Sequence, residues 1–230
     1  MRFGLQKLTL LDFPGRVACT VFSAGCNFRC PFCHNASLVN AQIPLPYSAD
    51  DIKAFLKKRQ GVLDGVCFTG GEPLLGDGII ELALAAKELG YQVKVDTNGS
   101  FPERLQRILD EKIADYVAMD IKSSPERYET VCGNVNMLDA VRRSVELLKN
   151  SGTAFEFRTT VTGNLHKVED FTAIGQWIAP VERYFLQGYV DSGDILQQSN
   201  AETFAVSNEM LQACLAEVQK FVPQAAIRGR

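Results

Sequence analysis

The sequence lacks an excess of positive charge. Its 230 residues carry 24 Lys and Arg against 27 Asp and Glu, a formal charge of -3 with a pI near 5.5, so there is no basic field of the kind that draws proteins to nucleic acid. Nucleic acid is not expected as a direct substrate. No apolar run approaches membrane-spanning length, and the opening MRFGLQKLTLLDFPGR has neither the apolar core nor the small-residue cleavage site of a secretory signal. The expectation is a soluble cytoplasmic protein without a membrane partner. Internal repeats, low-complexity tracts and Ser/Gly-rich linkers are also missing, so one domain over 1–230 is expected. An even disulfide framework is missing too: there are seven cysteines, three within eight residues, while Cys19, Cys67, Cys132 and Cys214 are scattered. Thiols clustered in a reducing compartment point to a metal site.

What the chain does have is alternation. Short apolar runs at 17–22, 62–69, 91–96, 115–121, 154–161 and 182–188 predict strands, and amphipathic stretches near 48–59, 77–89, 101–112, 137–150, 167–179 and 207–221 predict helices. This βαβα order is that of an α/β protein with a parallel sheet, and periodicity alone fits an open doubly wound sheet as well as an incomplete six-strand barrel. In either case ligands gather beyond the C-terminal ends of the strands. The unusual residues lie there: a cysteine loop at 23–36, then TGGEP at 69–73, DTNG at 96–99, Asp120 and Lys122, Arg158 and Thr160, and Gln187. Alternation along AFEFRTTV places Glu156, Arg158 and Thr160 on one face and Phe155, Phe157 and Thr159 on the other. A polar rim around a single site follows.

The loop reads Cys26-x3-Cys30-x2-Cys33. Thiolates at such spacing can wrap one compact iron-sulfur cluster, and three ligands on a four-iron cluster leave one iron open to a small molecule. The competing readings are a zinc site completed by His34, and ordinary packing thiols. Zinc is disfavoured because His34 directly follows Cys33 and no second CxxC pair exists. His166 reads as a residue leading into a helix rather than as a ligand.

CNFRCPFCHN with TGGEP downstream resembles the radical S-adenosylmethionine (SAM) superfamily, whose signature is three cysteines at this spacing with an aromatic residue, here Phe32, before the last. The resemblance implies a partial (β/α)6 TIM-like barrel with a 4Fe-4S cluster on Cys26, Cys30 and Cys33. SAM would chelate the open iron through its amino and carboxylate groups, with Phe32 beside the adenine and Gly70, Gly71 and Glu72 receiving the amino group. DTNG and DIK resemble the glycyl-radical activating enzymes. By that likeness Asp96, Thr97 and Asp120 are expected to hold a monovalent cation beside SAM, and Lys122 to contact SAM. Arg158 is expected to contact SAM as well, with Thr160 and Gln187 nearby; Gln187 departs from the pyruvate formate-lyase type, which has a histidine there.

The opening GLQKLTLLDFPG and the CHN after the cluster resemble the group that activates anaerobic ribonucleoside-triphosphate reductase. About 36 residues separate Cys33 from Gly70 and hold a single cysteine, Cys67, in a predicted strand, so one cluster is expected and no ferredoxin-like insert. The implied function is reductive cleavage of SAM, with an electron from flavodoxin or ferredoxin, and transfer of the radical to a glycine of a partner enzyme. The alternatives are activation of a pyruvate formate-lyase-like partner, a small-molecule radical SAM reaction such as 7-carboxy-7-deazaguanine synthesis, and a non-catalytic iron-sulfur or zinc protein.

Overall fold

Eight strands lie side by side in the order in which the chain makes them. The structure, a computed structural model, describes residues 2–133 and 136–229. They are β1 (Phe3–Thr9), β2 (Ala18–Ser23), β3 (Gly65–Gly70), β4 (Gln92–Thr97), β5 (Tyr116–Asp120), β6 (Ala154–Val161), β7 (Tyr184–Gly188) and β8 (Ala226–Ile227). β1 runs antiparallel to β2, and every later pair is parallel. β1 and β8 are therefore the two edges, and the sheet is a partial barrel rather than a closed one. The six strands from β2 to β7 are those expected from the apolar runs.

The helices are α1 (Ala36–Val39), α2 (Ala49–Arg59), α3 (Gly78–Glu88), α4 (Pro102–Asp110), α5 (Tyr128–Val131), α6 (Leu138–Asn150), α7 (Asp170–Ile178) and α8 (Asn208–Gln219). Local chemistry starts several of them. Ser48 caps α2 by accepting from the Asp51 amide while the Asp51 carboxylate accepts from the Ser48 amide, a reciprocal pair that satisfies two otherwise unpaired helix-end donors. Pro102 opens α4, where its missing N–H costs nothing. Along α4, Leu105, Ile108 and Leu109 form the i, i+3, i+4 stripe that buries against the sheet. Among the described residues no helix is long and apolar enough to cross a membrane.

Strand register sorts the side chains into two faces. Cys67 pairs with Lys94, Lys94 with Tyr116, Asp96 with Ala118, Ala118 with Glu156, Asp120 with Arg158, and Thr160 with Gln187. All of these share one face, because side chains two apart on a strand point the same way. The other face carries Val66 and Phe68, Val93 and Val95, Val117 and Met119, and Phe157, each at most 1% exposed beneath the helices. The fold thus has an apolar core outside the barrel and a polar one within it. At the barrel floor the two guanidinium nitrogens of Arg228 grip the buried Glu156 carboxylate at 2.6 and 2.8 Å, and Tyr116 donates to it at 2.7 Å. A fully buried carboxylate is costly unless it is paired and hydrogen-bonded in this way.

Candidate functional site

The polar face ends in a cavity of about 440 Å³ at the C-terminal ends of the parallel strands. Every site residue expected from the sequence lines it: Cys26, Cys30, Phe32 and Cys33 from the loop after β2; Gly70, Gly71 and Glu72 after β3; Asp96 and Thr97 at the end of β4; Asp120 and Lys122 after β5; Arg158 and Thr160 on β6; Gln187 on β7. Residues from six successive strand ends are brought together. The volume lies within the 300–1,000 Å³ typical of small-molecule sites.

The cysteine loop has little regular structure of its own, so neighbours hold it. The Gly25 amide donates to the Leu38 carbonyl at 2.8 Å, and the Cys33 amide closes a turn on the Cys30 carbonyl at 3.0 Å. From across the site, the segment after β7 clasps the loop: Leu196 donates to the Cys33 carbonyl at 3.2 Å and Gln197 to the Pro31 carbonyl at 3.1 Å. Asp194 accepts from the Ser37 hydroxyl at 2.8 Å, fixing α1 behind the loop. Gly70 adopts a φ of +127°, and a side chain on Gly71 would overlap the Gly25 carbonyl, so only glycines let β3 pass this close to the loop.

Burial pushes the Cys26 thiol up to about 12 and raises that of Cys33. Without a positive centre these sulfurs stay protonated, and metal binding there must release protons. Cys30 moves the other way, chiefly because the buried Cys132 thiol hydrogen-bonds to it. Among the described residues no three His, Cys, Asp or Glu side chains converge as the ligands of a single metal ion would. His34 follows Cys33 and lines the same cavity. Three thiols around a shared space suit a multinuclear cluster better than one ion.

The opposite wall is a ladder of alternating charge. Lys94 contacts Asp96; Asp96 Oδ2 lies 3.3 Å from Arg158 Nη1; Arg158 Nη2 lies 3.0 Å from Asp120 Oδ1; and Asp120 Oδ2 lies 2.9 Å from Lys122 Nζ. Burial alone would raise the Asp120 carboxyl, but Arg158 and Lys122 outweigh it and hold it well below the usual carboxylate range. Burial would likewise discharge Lys122 and Arg158, and Asp120 keeps both firmly cationic. Lys94, Arg158, Asp120 and Lys122 are thereby held in their charged forms.

Glu72 behaves differently. Only 1% exposed, it accepts from the Leu74 amide at 2.9 Å, the Thr97 hydroxyl at 2.8 Å and the Asn98 amide at 2.6 Å. Burial still pushes its carboxyl up to about 7, against the pull of these donors. It ties the β3 end to the β4 end. His166 is also structural: its Nδ1 accepts from the Thr162 amide at 3.1 Å and its Nε2 faces the Lys122 carbonyl at 2.8 Å, while its ring lies edge-on to Phe32. This agrees with reading it as no ligand.

Sequence reasoning missed Lys94, whose ammonium is buried in the barrel directly below the cavity. The available signal was a charged residue in the middle of an otherwise apolar strand, YQVKVD. It also passed over Asn98, which lines the cavity and reaches a cluster-loop sulfur. There the turn-forming role of DTNG masked a second one.

Comparison with known proteins agrees with this geometry. The sequence profile of the Radical SAM superfamily matches residues 20–175. A Methanocaldococcus jannaschii protein, assigned by inference as a glycyl-radical enzyme activating enzyme, is 29% identical over 194 residues, 81% of this chain and 78% of its own. The pyruvate formate-lyase-activating enzyme of Clostridium pasteurianum is 31% identical over 135 residues, 56% of each chain. Among solved structures, Streptococcus suis SuiB bound to S-adenosylmethionine superposes with a TM-score of 0.68 at 16% identity, over 90% of this chain and 49% of that one.

Proposed function

The chain belongs to the radical SAM superfamily, and from that premise we propose that it is an activase that installs a glycyl radical on a partner enzyme, anaerobic ribonucleoside-triphosphate reductase being the partner we favour. Membership implies a 4Fe-4S cluster and SAM. When bound, these supply a 5'-deoxyadenosyl radical by one-electron cleavage of the sulfonium, with flavodoxin or ferredoxin as the proposed electron source.

The protein's part is to bind, orient and exclude. Cys26, Cys30 and Cys33 would hold three irons from one loop, with Phe32 against the adenine. Gly70 and Gly71 let the β3 edge approach the amino group, and Glu72 keeps that edge in register with Thr97. Arg158 and Lys122 would offer cationic partners for the SAM carboxylate, while Asp96 and Asp120 would balance its sulfonium; Thr160 and Gln187 complete the rim. Because these charges are already paired with one another, they cost little reorganisation when a zwitterion arrives.

A monovalent cation beside Asp96, Thr97 and Asp120 would have to compete with Lys94 for Asp96, and the Thr97 hydroxyl is spent on Glu72. We therefore propose that the Lys94 ammonium takes the cation's place at Asp96.

The observation that carries the activase reading is the open barrel. β1 and β8 do not pair, and Gln6 and Asp12, on and just beyond the β1 edge, line the cavity. A side opening admits a loop of another polypeptide, whereas a small-molecule reaction calls for a closed polar pocket beside SAM. The test is anaerobic reconstitution, reduction in the presence of SAM, and electron paramagnetic resonance after mixing with the host's glycyl-radical enzymes. A glycyl doublet with one of them is expected. Formation of 5'-deoxyadenosine with no doublet on any partner would overturn the activase reading and leave a small-molecule enzyme.

A further inference from the structure

We infer that Asn98 is a positioning residue for the cluster, donating a side-chain N–H···S hydrogen bond to Cys26 that makes the cluster easier to reduce. The inference rests on the cluster reading above and goes beyond it, because nothing in the cysteine spacing assigns a role to this amide.

The geometry leaves the amide one orientation. Asn98 Oδ1 accepts from the Ser100 backbone N–H at 2.9 Å, and a backbone amide can only donate. Asn98 Nδ2 must therefore face the other way, where it lies 3.7 Å from Cys26 Sγ and 3.1 Å from Asn27 Oδ1. Asn27 is oriented in turn, since its Oδ1 must accept from the Asn98 Nδ2 donor, which leaves its own Nδ2 to donate to the Ser100 hydroxyl at 2.9 Å. The backbone N–H of Phe28 reaches the same sulfur at 3.4 Å, so Cys26 sits under two donors.

The turn carrying Asn98 is held rigidly. Its backbone amide donates to Glu72 at 2.6 Å, and the Gly99 carbonyl accepts from the buried Ser144 hydroxyl on α6 at 2.6 Å. Gly99 adopts a φ of +76°, a backbone conformation that strains any residue with a side chain, and the Met119 side chain packs against it behind the amide. Asn98 and Ser100 are each 5% exposed, and water has little access to compete for their groups.

The consequence is electrostatic. A thiolate ligand carries much of the cluster's negative charge, and an N–H dipole aimed at it stabilises the reduced state more than the oxidised one. Removing the donor makes the cluster harder to reduce.

The experiment compares reconstituted wild type with Asn98→Asp and Asn98→Ala by redox titration monitored by electron paramagnetic resonance, each normalised to bound iron. Asn98→Asp keeps the acceptor for Ser100 but turns an oxygen toward the sulfur, and its midpoint should fall furthest; Asn98→Ala should fall less. A purely structural role predicts less bound iron with an unchanged midpoint in what remains, and that result overturns the inference. Exchange into D₂O supplies a second readout: Fe–S(Cys) stretching bands should shift more in wild type than in Asn98→Ala, where the Phe28 amide is the donor that remains, and an equal shift in both counts against the bond. Wild type that loads no iron-sulfur cluster refutes the underlying cluster reading, a different failure from a cluster whose midpoint ignores Asn98.

Discussion

The two walls of one cavity are built from opposite materials. The wall over the β2 to β4 ends holds sulfur and neutral amides, with Asn27, Asn98 and Ser100 knitted together behind Cys26. The wall over β4 to β6 holds five formal charges in strict alternation, Lys94, Asp96, Arg158, Asp120 and Lys122. The first lends small dipoles to a site whose Cys26 and Cys33 thiols are neutral until metal arrives. The second sets three cations and two anions side by side, each paired with the next. A cluster needs ligands that take on charge as it binds, and a zwitterion needs charges already in place; the division of the cavity follows that difference.

Breaking the charged wall at its centre should have the largest effect. Arg158→Ala removes the cation that Asp96 and Asp120 share and leaves each with one lysine partner, so the cost should lie below the ~3–5 kcal/mol of a buried charge left wholly unpaired. Urea unfolding of the apoprotein should record that loss, and equilibrium dialysis should find SAM affinity reduced at least tenfold. An apoprotein as stable as wild type would mean that the ladder is loosely hydrated rather than a preorganised wall.

The Lys94 rung sharpens the comparison more gently. Burial pulls its ammonium toward neutrality, but Asp96 more than offsets this and keeps it charged. Wild-type SAM affinity should change less than twofold when sodium, potassium or no alkali cation is supplied. Lys94→Met should lose several-fold in affinity and regain part of it with sodium or potassium, as measured by isothermal titration calorimetry. Cation dependence in wild type would restore an alkali ion to the site.

Glu72 sits where the two walls meet and should give the smallest, pH-confined effect. Its folded value of about 7 lies above the ordinary 4.5, so its contribution to stability is fully present below pH 4.5 and is lost as pH rises through 7. The loss is about 3 kcal/mol at most for a rise from 4.5 to about 7. Glu72→Gln places an amide against the Asn98 N–H and is less stable at low pH, but its stability should be flatter between pH 4.5 and 7 in chemical denaturation. An identical slope in both proteins would show that Glu72 does not titrate there.

The parallel strands and major helices could be read from the sequence because each buries an apolar stripe of standard period; VCF in β3 and VAM in β5 are examples. β1 could not, since as an edge strand it leaves Gln6, Lys7 and Leu8 exposed and shows no clean alternation. Two-residue β8 and the four-residue α1 and α5 are too short to carry a period. VLDGVCFT begins three residues before β3 does, because Val62 to Asp64 form the turn out of α2. At the site, residues whose type is unusual at a strand end were found, Cys26 and Arg158 among them. Lys94 and Asn98 were not, because their roles depend on a cross-strand neighbour and on the fixed orientation of an amide, neither of which spacing reveals.

The central claim, an iron-sulfur site on the loop thiols left open for SAM, is tested most directly by anaerobic reconstitution of wild type, Cys30→Ala and Cys214→Ala, with iron content and 5'-deoxyadenosine measured after reduction with SAM present. Cys214 is buried in α8, away from the cavity lining, and serves as the control. Wild type and Cys214→Ala should bind about four irons per chain and form 5'-deoxyadenosine, while Cys30→Ala should form none. Equal 5'-deoxyadenosine from Cys30→Ala and wild type would contradict the account.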